Sequence, residues 1–169
     1  MTGSAGADFD AGVPPVVVGV SPTSGSPSAL RWALAEADRL RAPLHAVMAW
    51  QPPRPPAAPA GRPPVGLMAS EEELQKQAVT NLERLVLETL GDAERVLLDV
   101  AKGSTASVLQ AATAKAQLLV VGSAHATPVA GVIRDRLRAP ALSERITCPV
   151  VLIPPHLREG LRPAGAASR

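Results

Sequence analysis

The stretch "LLVVGSAHATPVAGVIRDRLRAP", residues 118–140, joins an apolar run to a loop of unusual composition. Residues 118–121 are Leu, Leu, Val and Val, the pattern of a parallel strand buried on both faces. The run ends on Gly122, the usual entrance to a phosphate-binding loop. Such loops continue with glycines, because inward-pointing backbone N–H groups need positive φ and no Cβ in the way. This one continues with His125, Pro128 and Asp135.

Working upstream, "PPVVVGV" (14–20) is a short β-branched run read as a strand buried on both faces, and "PLHAVMAW" (43–50) and "AERVLLDVAKG" (93–103) read as two further strands. Between them lie helical patterns. In "SALRWALAEADRLRA", Leu30, Ala33, Leu34, Ala37 and Leu40 recur at three- and four-residue steps, with Ser26 and Pro27 as N-cap and first residue. Ser70 and Glu73 form a capping box for "EEELQKQAVTNLERLVLETL", whose buried side is expected to carry Leu74, Val79, Leu82, Leu85 and Val86. Ser104 caps a third helix, "STASVLQAATAKA". Downstream, "APALSERITC" reads as a short helix, and "PVVLI" (149–153) as a last strand stopped by Pro154 and Pro155.

Strands alternating with helices predict an α/β fold, a Rossmann-like three-layer sandwich around a parallel sheet. The boundaries expected are a disordered tail over 1–14, one domain over 15–155, and a flexible tail over 156–169. Within the domain, "QPPRPPAAPAGRPPVGLMA" (51–69) is too rich in proline for helix or central strand and reads as an extended loop.

Composition narrows the function. The chain has 169 residues, 46% of them hydrophobic, and a net charge of only +2, so a core is affordable and a nucleic-acid surface is not indicated. With one Phe and no Tyr there is little to stack bases on. No run is long enough to span a membrane, the N-terminus lacks a signal-peptide pattern, and the one cysteine, Cys148, suits a reducing compartment. A cytoplasmic protein without nucleic-acid or membrane partners is expected.

Five segments, "VVVGVSPTSGSPSALRWALAEA", "LHAVMAWQPP", "LLDVAKGSTASVLQAA", "QLLVVGS" and "CPVVLIP", resemble in order and spacing the segments of the universal stress protein family. The resemblance implies an adenine nucleotide alpha hydrolase-like fold with five parallel strands in the order 3-2-1-4-5. It also implies a homodimer joined through the last strand, and a role in stress response without strong catalysis. ATP-binding members carry a glycine, two residues, a second glycine, nine residues, then Gly-Ser or Gly-Thr, and an aspartate just after the first strand.

Against that pattern, Gly122 matches the first glycine, with Val121 before it and Ala124 after it as neighbouring site positions. The second glycine falls at His125 and the third at Asp135, with Arg136 in place of the hydroxyl residue. Sliding the later register by one restores neither glycine. Ser21, followed by Pro22, occupies the aspartate position after Gly19 and Val20, and Ala49 matches a position against adenine. A carboxylate at Asp135 would repel triphosphate oxygens, and His125 adds bulk where they would pass. The expectation is therefore no ATP and no other cofactor.

Arg134 and Arg136 offer the contrary reading, since guanidinium groups hold phosphate well; the plainer reading is a solvated charged loop. His125 lacks ligand-spaced partners, so no metal site is assigned, and no nucleophile with a base nearby is found, so no catalytic residues are assigned. Cys148 reads as half-buried packing, and Trp32 and Trp50, on a helix and at a strand end, read as core or dimer contacts, with a ligand platform as the alternative for both. Finally, Val150, Val151, Leu152 and Ile153 form an apolar edge strand, which invites pairing with a second copy about a two-fold axis. The function expected is that of a homodimeric stress-response protein acting through contacts with a protein partner of unknown identity. The alternative is a nucleotide sensor using the two arginines.

Overall fold

The computed structural model describes residues 12–21, 27–52, 70–122 and 146–154. In chain order these form β1 (Val16–Val20), α1 (Pro27–Leu40), β2 (Leu44–Trp50), α2 (Glu71–Leu90), β3 (Val96–Lys102), α3 (Thr105–Ala112), β4 (Leu118–Gly122) and β5 (Val150–Ile153). The strands make one five-stranded sheet in the order β3-β2-β1-β4-β5, and every neighbouring pair is parallel. The order expected from the sequence is the order found.

β1 lies at the centre because its side chains suit burial on both faces. Val16, Val17 and Val18 are all 0% exposed. Val16, Val18 and Val20 join the apolar stripes of α1 and α2: Ala29, Leu30, Ala33 and Ala37 from the first, Leu82 and Val86 from the second. Val17 faces the other way, into a smaller cluster with Val47, Leu119 and, from α3, Val108 and Leu109. Fully burying a side chain of this size contributes about 1.5–3 kcal/mol, so the stacked valines account for the strand's central place. Val13 already packs against the larger cluster, and Gln117 Nε2 donates to the Pro14 carbonyl at 2.6 Å, tying the start of β1 to the start of β4.

The helices begin where their caps dictate. Ser70 Oγ accepts from the Glu73 N–H at 3.2 Å while Glu73 Oε2 accepts from the Ser70 N–H at 2.8 Å, the reciprocal pair expected. Ser104 Oγ accepts from the Ser107 N–H at 3.1 Å and opens α3. Pro27 is the first residue of α1, as expected, whereas Ser26 lies outside the described residues.

Two details differ from expectation. Val79 is exposed, at 36%, because the inward stripe of α2 runs through Ala78, Leu82 and Val86, and Val79 sits a further 100° around the helix. Ile146, Thr147 and Cys148, the end of the expected short helix, are not helical; the rest of that segment lies outside the described residues.

The two longer helices finish in the same backbone shape with unequal residues. α2 ends on Gly91 at φ 77°, its N–H donating to the Leu87 carbonyl at 2.9 Å. α1 ends on Arg41 at φ 52°, with Arg41 N–H donating to Asp38 O at 3.2 Å and Ala42 N–H to Ala37 O at 2.9 Å. This is the paired-bond terminus in which glycine is favoured, because a Cβ crowds the carbonyl in the left-handed region. Replacing Arg41→Gly is expected to stabilise the fold by about 0.5–1 kcal/mol after allowance for glycine's greater freedom in the unfolded chain. Urea unfolding midpoints of the two proteins check it.

Candidate functional site

The sheet's connectivity singles out one edge. From β1 the chain moves outward to β2 and β3, then crosses back to β4 on the other side of β1. In open parallel sheets, ligands collect at the carboxyl ends of the two strands flanking such a reversal, here β1 and β4.

Several of the positions singled out in the sequence meet there. Gly19 pairs with Val121 on one side and Val47 on the other, so Val20 stands level with Gly122, and Ser21 level with Ala49 one step further on. Gly122 closes β4 opposite Ile153 of β5. Ser21, Ala49, Val121 and Gly122 are all half-buried. Ala49 and Val121 lie on the α3 side of the sheet, packed against the smaller core cluster. Pro22, Ala124, His125, Arg134, Asp135 and Arg136 lie outside the described residues.

Gly19 has a packing reason to be glycine. A Cβ built there would stand 3.1 Å from Leu109 Cδ2 and 3.3 Å from Cδ1. Leu109 therefore uses the space above Gly19 to seat α3 on the sheet, next to the reversal. Sequence reasoning included Gly19 in the site; the structure adds that its missing side chain serves the core.

A second group stands along the same edge, at the ends of β2 and β3. Trp50 and Lys102 are the last residues of their strands and sit opposite each other. The Lys102 ammonium is 5.9 Å from the Trp50 ring centroid and donates to Glu71 Oε1, on the first residue of α2, at 2.6 Å. The Gly103 N–H donates to the Trp50 carbonyl at 2.9 Å, carrying the ladder one residue beyond the strands. Neither Lys102 nor its partner Glu71 was singled out in the sequence. The signal was present in two strands of equal length ending on Trp and Lys, but only their register shows that the two residues meet.

The remaining titratable groups are quieter. Burial pushes the Cys148 thiol up, which disfavours its thiolate. The hydrogen bond from Arg39, aided by its charge, holds the Glu36 carboxyl below the usual carboxylate range despite burial. Among the described residues no three metal-ligating side chains cluster, and no helix is long and apolar enough to cross a membrane.

His45, on β2, is 22% exposed, with Nε2 3.8 Å from Asp99 Oδ2. Burial pushes its pKa down, and the Asp99 charge opposes this only in part. The unfolded chain, with imidazole near about 6.5, therefore binds a proton more readily than the fold does. His45 thus favours the fold fully above that value, and this contribution is lost as pH falls through the lower folded value. Stability measured by denaturant between pH 7 and 5 is expected to decline with acid. The decline should flatten in His45→Asn and steepen in Asp99→Asn, where the opposing charge is gone.

Comparison with known proteins agrees with this geometry. A solved structure of a protein from the universal stress protein family of Burkholderia pseudomallei is 19% identical, covering 83% of this chain and 95% of that one, with a TM-score of 0.53. A universal stress protein in complex with cAMP is 21% identical, over 83% and 96% of the two chains, at a TM-score of 0.47. Another, from Archaeoglobus fulgidus in complex with dAMP, is 17% identical, over 83% and 97%, at 0.45. The first of these likenesses is one of fold, and no curated protein matches in sequence. The model of the universal stress protein family, however, matches residues 13–154, nearly the whole of the fold. The chain belongs to the universal stress protein family.

Proposed function

We propose that this is a homodimeric stress-response protein of the cytoplasm that does not hold ATP in the family cradle and acts without catalysis, through contacts with another protein. The observation that carries the reading is the pairing of position and residue type at the reversal. Gly122 closes β4 where the cradle would begin, yet the two later glycine positions are His125 and Asp135 in the sequence. Across the crevice, Ser21 stands where ATP-binding relatives have a carboxylate. Two unit charges 4 Å apart interact by about 4 kcal/mol at a protein surface, so an aspartate facing phosphate offsets several hydrogen bonds.

The single cysteine of the chain, the half-buried Cys148, is in keeping with a reducing compartment. The dimer reading rests on β5. It is an outer strand of the sheet, its residues are Val, Val, Leu and Ile, and Val150 is 41% exposed. Val151 and Ile153 turn into the α1 side of the core, leaving Val150 and Leu152 on the opposite face. An apolar edge of this kind is stabilised by pairing with its own copy.

The second reading, a nucleotide sensor, is favoured by Arg134, Arg136 and Arg138, three guanidinium groups within five residues of the altered loop.

Calorimetric titration with ATP separates the two. The proposal expects no binding in the micromolar range. Micromolar affinity that disappears in Arg136→Ala would establish the sensor instead. Sedimentation across micromolar concentrations is expected to show a dimer, and Val150→Lys to shift it toward monomer; a sharp monomer in the unmodified protein contradicts the pairing.

A further inference from the structure

Lys102 touches both ends of the connection that leaves β2 and returns as α2. On one side is Trp50, the last residue of β2, and on the other Glu71, the first of α2; the Lys102 ammonium is 5.9 Å from the ring centroid and 2.6 Å from the carboxylate. The three residues are far apart in sequence; the register of β2 with β3 sets Trp50 opposite Lys102, and α2 brings Glu71 to the same ammonium.

The geometry points to a charge-sensitive clamp: Lys102 fixes the exit of β2 to the entrance of α2 and makes each sensitive to the state of the other. Trp50 and Lys102 have the same strand parity as Met48 and Val100, whose side chains pack on the α1 and α2 side of the sheet. The lysine stem therefore rises toward α2, and its head meets Glu71 beside the Ser70–Glu73 capping pair. Each contact alone is weak. The ion pair is exposed, with Lys102 at 49% and Glu71 at 65%, and is screened by salt. Because one ammonium makes both contacts, loss of either partner widens the positions open to Lys102 and so weakens the other. Salt, or any ion that takes up Lys102 or Glu71, releases the clamp and loosens the first turn of α2 without unfolding the sheet.

The test uses the full chain in a Trp32→Phe background, so that Trp50 is the sole indole. Lys102→Met should change Trp50 emission and raise amide exchange over residues 74–77 roughly two- to five-fold, the range of an exposed ion pair, while residues 82–86 stay unchanged. Glu71 does not touch the ring, yet Glu71→Gln should also move Trp50 emission, and should do so only while Lys102 is present. Raising sodium chloride to about 1 M, where screening acts within a few ångströms, should reproduce the emission change, and have no further effect in Lys102→Met. The clamp is overturned if Glu71→Gln leaves Trp50 emission unchanged. It is equally overturned if that variant's effect persists unaltered in the Lys102→Met background.

Discussion

Enclosure of β1 on both faces governs the rest of the molecule. Val16, Val17 and Val18 have no exposed surface, so the layers above and below the sheet must both be apolar and closely seated. The α1 side satisfies this with Ala29, Ala33 and Ala37 at the contact, together with Leu30 and, from α2, Leu82 and Val86. The α3 side satisfies it with Leu109 lying over Gly19. Polar chemistry is thereby displaced to the strand ends. The carboxyl edge gathers Ser21, Gly122, the Trp50–Lys102–Glu71 group and the capped start of α3.

Much of this was legible in the chain. Short apolar runs marked the strands, most plainly β1, because a parallel strand covered on both faces has no polar side to show. The caps at Ser70 and Ser104 were equally plain, since a side-chain acceptor followed by a helical stripe has few other uses. Less legible was rotation about a helix. Val79 and Ala78 are adjacent, and an apolar side chain does not reveal which of the two turns inward; the smaller one does, because α2 lies close against β3. Hidden altogether were the meetings that depend on register. Nothing local to Lys102 indicates Trp50 or Glu71, and nothing near Arg41 indicates that its backbone would take a shape made for glycine.

The family and the departures from it fit one physical picture. A fold whose central strands are held by apolar packing does not depend on the crevice at their ends, so residues there can change while the sheet persists. On the proposed reading, Ser21, His125 and Asp135 are sequence departures of this kind. On the same reading, the apolar outer strand β5 joins two copies. On this account the protein keeps a shared scaffold and works through its surfaces.

Because a tightly held nucleotide survives purification, the central claim is tested most directly by the contents of the freshly isolated protein. Acid denaturation followed by chromatography and mass spectrometry of the released small molecules should find no adenine nucleotide in stoichiometric amount. A nucleotide recovered at near one per chain would contradict the account.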